Sequence, residues 1–181
     1  MRLMRTGMAD DLFARAHGAT WVGGIHALSR NLEAVPVVFD GQRYLMEFET
    51  PAFLTQVDAF ENIVYATNRG GSFVPKLDHR VIRISLADGG QNLRNLCRLS
   101  ATEGPSNHER FSAAIRRAVL TYYRSTPHAN QYFFLTTPET RAMLLAIFHP
   151  LPDDLADRYD LRVHEELADP FIGFTLVSKL L

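Results

Sequence analysis

One short segment constrains the fold more than any other part of this 181-residue chain. In VPVVFDGQRYLMEFET (35–50), two runs rich in apolar residues flank the pair Asp40-Gly41. Asp-Gly between such runs is a strong signal for a β-hairpin, because both central residues of a type I′ turn need a positive φ angle. Apolar side chains of the second run fall on both faces of a strand, so we expect that strand to be covered on at least one side.

The other patterns alternate between strands and helices. We predict strands at 62–67, 79–87, 131–137 and 171–180. We predict helices in two pieces over 8–33, at 91–100, from just after Pro105 to about Arg124, and at 138–148, with short helical turns at 51–60 and from Pro152 toward Tyr159.

Regular alternation of strands and helices is confined to the second half of the chain. We therefore predict the α+β class, with a mixed, mostly antiparallel sheet flanked by helices. Residues 1–34 are expected to form an N-terminal helical segment. Residues 35–181 are expected to form a single α+β domain.

The composition of the chain limits the cellular compartment and the classes of partner that we expect. The lone Cys97 cannot form an internal disulfide, which is typical of a reducing compartment. No stretch approaches the ~20 apolar residues needed to cross a bilayer. The net charge of −1 and the pI of about 6.7 do not favour a nucleic-acid partner. We expect a cytoplasmic protein without membrane association.

A glycine pair raises the first functional question. In SLADGGQNLR (85–94), it lies between a predicted strand and a predicted helix, where backbone amides and the positive end of a helix can bind a phosphate. The candidate contacts are Gly89, Gly90, Gln91 and Asn92. Because the chain has no GxxxxGK[ST] or GxGxxG motif, an ordinary turn is the favoured interpretation.

Four arginines are candidates for a binding surface. Arg110, Arg117 and Arg124 are seven residues apart and share one side of a predicted helix, with Arg116 beside them. They could contact phosphates or an acidic partner, or form a solvated face. Arg141 lies in the first turn of its helix, where a cation opposes the helix dipole, so we expect an ion pair or an anion contact there.

No local pattern indicates a catalytic or metal centre. The seven histidines are not spaced like metal ligands, and no Gly-x-Ser-x-Gly nucleophile motif is present. Cys97 shares a predicted helical face with Leu93 and Leu96, as expected of a buried cysteine. The sequence identifies no catalytic residue and predicts no metal or cofactor.

The layout of the second half resembles known proteins. It contains the segments NHERFSAAIRRAVLTYY, NQYFFLTTPETRAMLLAIF and FIGFTLVSK. With the hairpin at 37–48 and with Asn107, Arg110 and Arg141, it resembles small bacterial proteins of uncharacterised function. More distantly, it resembles the second half of the GNAT acetyltransferase fold, with its helix–strand–helix–strand order. The likeness covers about residues 35–180.

The GNAT resemblance implies a specific chemistry. GNAT enzymes hold the coenzyme A pyrophosphate with backbone amides of a (Gln/Arg)-x-x-Gly-x-(Gly/Ala) loop between a strand and a helix. SLADGGQNLR occupies the comparable place, with a different pattern of residues. The resemblance then implies phosphate contacts from Gly89 to Asn92, and Tyr132 or Tyr159 as the acid that protonates the departing thiolate.

Three hypotheses for the function follow. The first is a non-catalytic interaction protein that binds a protein partner or forms a homodimer, supported by the absence of a catalytic pattern and by aromatic-rich segments. The second is a divergent GNAT-like acyltransferase that uses acetyl-CoA. The third is weak nucleic-acid binding through the line of Arg110, Arg117 and Arg124, which we call the arginine stripe.

Overall fold

A computed structural model shows an α+β protein with a mixed sheet of mostly antiparallel strands. The structure describes residues 6–51, 65–67, 69–74, 76–87, 105–136, 138–148, 150–165, 167–168 and 171–179. The predicted fold class is confirmed. None of the helices within these ranges is long and apolar enough to cross a membrane.

The described helices and strands are named in chain order. The helices are α1 (Thr6–Phe13), α2 (Pro105–Ser125), α3 (Pro138–Phe148) and α4 (Asp153–Ala156). The first five strands are β1 (Thr20–Val22), β2 (His26–Ser29), β3 (Leu32–Phe39), β4 (Gln42–Glu49) and β5 (Tyr65–Ala66). The others are β6 (Ser72–Phe73), β7 (His79–Leu86), β8 (Gln131–Leu135), β9 (Tyr159–Val163) and β10 (Phe171–Ser178).

The main sheet, as far as it is described, has eight strands. Its order is β1-β3-β4-β7-β8-β10-β9, and β2 also pairs with β3. Strands β7 and β8 are parallel, from His79 opposite Gln131 to Ile82 opposite Phe134. Strand β10 is antiparallel to both β8 and β9. Strands β5 and β6 form a separate antiparallel pair.

The predicted hairpin is confirmed. Strands β3 and β4 flank Asp40 and Gly41, whose φ angles are +47° and +77°. Both angles lie in the left-handed region, as a type I′ turn requires. The buried residues Tyr44, Leu45 and Met46 alternate in direction along β4, so both faces of this strand are covered.

Local patterns predicted several elements close to their observed bounds. Strand β7, helix α2, strand β8, helix α3 and strand β10 lie where the periodicity places them. Pro138 is the first residue of α3, consistent with its fixed φ and missing amide hydrogen.

One prediction of secondary structure is wrong, and one strand was not predicted. A helical spacing of apolar residues (Trp21, Ile25, Leu28 and Leu32) suggested a helix, but 20–22 and 26–29 are strands that pair with β3. Pairing with the following strand β3 overrides the local periodicity in this segment. The strand that was not predicted is β9: the helical turn expected from Pro152 is present as α4, and the chain then forms a strand from Tyr159 onward.

The chain divides into two compact units, each described separately. The first comprises the described residues of Met1–Glu47 and Arg83–Ser125, and the second those of Phe48–Ile82 and Thr126–Leu181. One core of the first unit joins α1 to the hairpin, with the buried residues Leu12, Phe13, Ala34, Val38, Leu45 and Ala87. Arg43 also donates from Nη1 to Asp10 Oδ1 at 3.0 Å and lies over the Phe13 ring.

Helix α2 is tied to β3 by a buried polar contact. The Tyr122 hydroxyl, which is fully buried, donates to Glu33 Oε2 at 2.6 Å. A hydrogen bond to a carboxylate contributes more than one between neutral groups, about 1.5–3 kcal/mol. This contact fixes the C-terminal half of α2 within the first unit.

The second unit packs helix α3 against its strands through aromatic rings. The Phe148 ring lies 4.8 Å from that of Phe174 and 5.6 Å from that of Phe134, between ring centroids. Phe134 and Phe174 are 6.1 Å apart. All three rings are buried. They form an aromatic contact between α3 and the sheet.

Candidate functional site

The glycine-pair candidates fall outside the described residues. Gly89, Gly90, Gln91 and Asn92 follow β7 in the chain, whose last residue is Leu86. Their role in phosphate binding stays a prediction.

Arg110 lies at the start of α2 and contacts the hairpin turn. Its guanidinium donates to Asn107 Oδ1 at 3.0 Å, to Asp40 Oδ1 at 3.1 Å and to Thr20 Oγ1 at 3.3 Å. It also lies 5.4 Å from the centre of the Phe39 ring. Arg110 therefore joins α2 to the turn between β3 and β4, so much of its charge is already engaged within the protein.

The exposed line of α2 carries the arginine stripe. Arg110, Arg117 and Arg124 are exposed, and the residues between them along this line are Ala113 and Thr121. Seven residues of helix separate successive arginines by about 10 Å. The heptad spacing therefore predicted their shared exposed side correctly. Whether this stripe binds a partner stays a prediction.

Arg116 behaves differently from its neighbour Arg117. It is 6% exposed, and its Nη2 donates to the Glu109 carboxylate. Adjacent residues on a helix point about 100° apart, so one can be solvated while the next is buried. Glu109 therefore pairs with a buried cation.

Arg141 binds a backbone carbonyl. Its Nη1 donates to the Phe171 oxygen, at the start of β10. This contact ties helix α3 to a strand, and the ion pair or anion contact expected for Arg141 from the sequence stays a prediction. A carbonyl carries a partial negative charge and offsets the unfavourable position of a cation near a helix N-terminus.

Both candidate tyrosines are buried. Tyr132 is 1% exposed, and its ring packs edge-on against Phe48, with centroids 6.2 Å apart. Tyr159 is also buried, at the start of β9. A phenol that protonates a leaving group must reach it, so burial gives neither residue a direct path to a bound substrate in this conformation.

A cluster that sequence reasoning missed lies in the second unit. It consists of Phe73, His79, Phe133 and His164, and we call it the histidine–aromatic cluster. His79 stacks on Phe73 at 5.4 Å, and His164 stacks on Phe133 at 5.8 Å, between ring centroids. Phe133 also lies 5.2 Å from both Phe73 and His79. These residues come from four different strands or their ends, so no local spacing indicates the cluster.

Gly173 lets the Phe133 ring lie against the neighbouring strand. Gly173 pairs with Phe133 in the register of β10 and β8. A Cβ at this position would lie 2.7 Å from a ring carbon of Phe133 and 2.9 Å from Leu167 Cδ1. Only glycine fits here without displacing buried atoms.

His79 is held by a hydrogen bond to its own turn. It is 1% exposed, and the Lys76 amide donates to its Nδ1 at 3.0 Å. In the other direction, the His79 amide donates to the Lys76 carbonyl at 3.1 Å. Its Nε2 lies 3.6 Å from Asp78 Oδ1 and has no hydrogen-bond partner among the described residues.

Arg80 secures the same turn from the other side. It is buried, and its Nη1 donates to the carbonyl oxygens of Leu77 and His79 at 2.7 and 2.8 Å. The turn nonetheless carries an exposed tip, because the side chain of Leu77 is 70% exposed. Two buried polar side chains thus stabilise a turn with an apolar residue at its surface.

This geometry limits the chemistry of His79. A general base needs a free nitrogen lone pair, but the Nδ1 lone pair already accepts the Lys76 amide. Burial lowers the pKa of His79 below its usual value of 6.5; Asp78 opposes this effect, and Lys76, His164 and Arg80 add to it. In the ranges that the structure covers, no group of three His, Cys, Asp or Glu side chains could hold a metal ion.

His164 completes the cluster on the β9–β10 side. Its Nε2 is 2.8 Å from Thr175 Oγ1, and its amide donates to the Gly173 carbonyl at 2.9 Å. The cluster therefore holds one histidine against a turn and another against a strand hydroxyl.

Comparison of the chain with protein-family models, curated proteins and solved structures finds no match, so only its own residues bear on its function.

Proposed function

We propose that this protein is an acyltransferase with a GNAT-like fold that uses acetyl-CoA. The observation that carries the proposal is the parallel pair β7–β8 within a mostly antiparallel sheet. The chain leaves β7, forms α2, and returns as β8 parallel to β7; α3, β9 and β10 follow. This order, with the short helix α4 before β9, supports the proposed resemblance to the helix–strand–helix–strand half of the GNAT fold.

The position of the glycine pair in the chain adds support. Ligands of sheets with parallel strands commonly bind beyond the carboxyl ends of those strands, and glycine-rich turns there offer amides to phosphates. Gly89 and Gly90 follow the carboxyl end of β7 by a few residues. In this proposal their amides hold the pyrophosphate of coenzyme A, with Gln91 and Asn92 beside them.

The reaction is a simple transfer. The acetyl carbon forms a bond to a nucleophilic oxygen or nitrogen of the acceptor, and its bond to the coenzyme A sulfur breaks. The acceptor loses a proton, and the thiolate gains one. Tyr132 and Tyr159 are buried, so the proposal assigns neither the acid nor the base to a residue.

Thermal unfolding with acetyl-CoA or free coenzyme A, at millimolar ligand, tests this proposal. Ligand at 100 times its dissociation constant adds about 2.7 kcal/mol to the free energy of unfolding. For a chain of this size, the unfolding midpoint should rise by roughly 5–10 °C, at 2–4 °C per kcal/mol. Release of free thiol from acetyl-CoA in the presence of an amine acceptor then measures turnover.

A matched pair of glycine variants locates the effect. Gly90→Val should abolish the ligand-induced rise, because a side chain keeps the phosphate from the backbone amides. Gly24→Val is the control, since a Cβ at Gly24 meets no atom within 4 Å. The absence of a rise with either ligand, in the unmodified protein, would contradict the proposal.

A second candidate function rests on a different observation. Val74 and Leu77 are 56% and 70% exposed, near the turn held by His79 and Arg80. A fixed turn with exposed apolar side chains is typical of an interaction surface, because little entropy is lost when it binds. In this alternative the protein is an interaction module that forms a homodimer or binds another protein.

Sedimentation of the protein over a range of concentrations tests the homodimer. If Val74 and Leu77 form the contact, Leu77→Asp should shift the population to monomer, because it places a charge in an apolar interface. Val177→Asp is the control, since Val177 is also exposed but lies on β10. A wild-type protein that stays monomeric at every concentration would exclude self-association.

A further inference from the structure

We propose that His79 is a proton-sensitive latch on the turn Lys76–His79. The neutral imidazole accepts the Lys76 amide and keeps the turn closed; the imidazolium cannot accept it, so protonation opens the turn. This inference is independent of the proposed acyltransferase activity.

The hydrogen bond fixes the tautomer of the neutral ring. Because the Lys76 amide donates to Nδ1, this nitrogen presents its lone pair and the proton of the neutral ring is on Nε2. Nε2–H then lies toward Asp78, with 3.6 Å between Nε2 and Oδ1. In the neutral state the lone pair of Nδ1 is therefore engaged, whereas Nε2–H has no hydrogen-bond partner among the described residues.

Protonation makes the closed turn untenable. The second proton can be added only at Nδ1, which would set two N–H donors facing each other across 3.0 Å. The ring is 1% exposed and stacked on Phe73, so water cannot replace the lost contact while the ring stays in place. Either the ring or the Lys76 amide has to move.

The charged groups around the ring act in both directions. Asp78 favours the imidazolium, whereas Lys76 in the same turn, Arg80 on β7 and His164 just after β9 disfavour it. Phe73 and Phe133, from β6 and β8, pack against the ring without carrying charge. Desolvation by these neighbours is the largest effect, and the pKa of His79 in the folded protein is lowered.

The direction of the pH dependence follows from this lowered pKa. Between the folded pKa and 6.5, the unfolded chain binds a proton at His79 and the folded protein does not. The contribution of His79 to the free energy of unfolding therefore has its highest value well above pH 6.5. It decreases as the pH falls below that value, and levels off once the folded protein is also protonated.

Opening the turn alters the surface nearby. Arg80 donates to the Leu77 and His79 carbonyls of the closed turn, so a movement of the turn would disturb these contacts. The exposed side chain of Leu77 then loses its fixed position. The latch thus converts protonation of His79 into a change in the presentation of an apolar residue.

Nuclear magnetic resonance of the full chain tests the latch. The ring nitrogen shifts of His79 should identify the Nε2–H tautomer near neutral pH. The exchange rate of the Lys76 amide is compared with that of Gly71, whose amide donates to Thr67 Oγ1 at 2.9 Å and touches no histidine. From about pH 7.5 to about pH 5, the ratio of the Lys76 exchange rate to the Gly71 exchange rate should rise roughly 2–10-fold. This factor corresponds to the loss of the net free energy of one hydrogen bond.

His79→Asn provides the matched variant. Asparagine Oδ1 branches from the same carbon as histidine Nδ1, so it can accept the Lys76 amide but cannot titrate. We expect its exchange ratio to be independent of pH, whereas the exposed-site control His128→Asn should behave like the wild type. A wild-type ratio that does not change, or an Nδ1–H tautomer at neutral pH, would overturn the latch even if His79→Asn does not fold.

Discussion

Replacement of Phe148 by alanine should lower the free energy of unfolding by about 3–5 kcal/mol. Phe148 is the last residue of α3, and its buried ring contacts those of Phe174 and Phe134 at 4.8 and 5.6 Å. Alanine removes the apolar area of the ring and leaves a cavity lined by two further rings, which lose contact atoms. For a chain of this size the unfolding midpoint should fall by roughly 6–20 °C.

Two comparisons make this prediction specific. Phe148→Leu keeps most of the buried volume and should cost clearly less than alanine. Leu77→Ala removes an apolar side chain that is 70% exposed, so its effect should stay within about 0.5 kcal/mol. Denaturant unfolding followed by circular dichroism measures all three. A loss at Phe148 as small as that at Leu77 would show that the three rings do not form a packed core.

Gly173→Val should also lower the free energy of unfolding strongly, by overpacking rather than by leaving a cavity. A Cβ at Gly173 would approach the Phe133 ring to 2.7 Å and Leu167 Cδ1 to 2.9 Å, and Phe133 is fully buried. Overpacking of a buried site typically costs about 1–3 kcal/mol, and valine adds two methyl groups to this clash. Chemical denaturation should therefore reveal a loss at or above the upper end of that range.

A second substitution can test the physical cause. Phe133→Leu removes the ring atoms that a Cβ at position 173 would meet, so the double variant should lose less stability than the sum of the single losses. Gly24→Ala is the control: its Cβ meets no neighbour, and it should be neutral or raise stability by a few tenths of a kcal/mol. Strict additivity at 133 and 173 would exclude the ring contact as the cause.

The position of some candidate residues could be predicted from the sequence, but the contacts of others could not. The heptad spacing of Arg110, Arg117 and Arg124 predicts a shared side of α2, and all three are exposed there. The pairing of Arg110 with Asp40, 70 residues earlier in the chain, has no local signal. The contact of Arg141 with the Phe171 carbonyl is likewise invisible, because any backbone oxygen can accept a hydrogen bond.

The errors in the prediction of secondary structure also have a physical origin. Strands β1 and β2 are three and four residues long, and each is stabilised by pairing with β3 more than by its own pattern. Strand β9 is five residues long, lies at the end of the sheet order, and exposes Asp160 and Arg162. Charged residues protect such an edge from further pairing, and they also weaken the apolar signal by which a strand is predicted.

The sequence by itself determined the features that depend on neighbours along the chain: the Asp40-Gly41 turn, the faces of α2 and the start of α3 at Pro138. Positive φ angles, helical periodicity and the missing amide hydrogen of proline act within a few residues. Only the tertiary structure decided that Arg116 is buried while Arg117 is solvated, and that His79 and His164 share one aromatic cluster. Burial and ring stacking depend on atoms brought together from distant parts of the chain, and no local spacing encodes those distances.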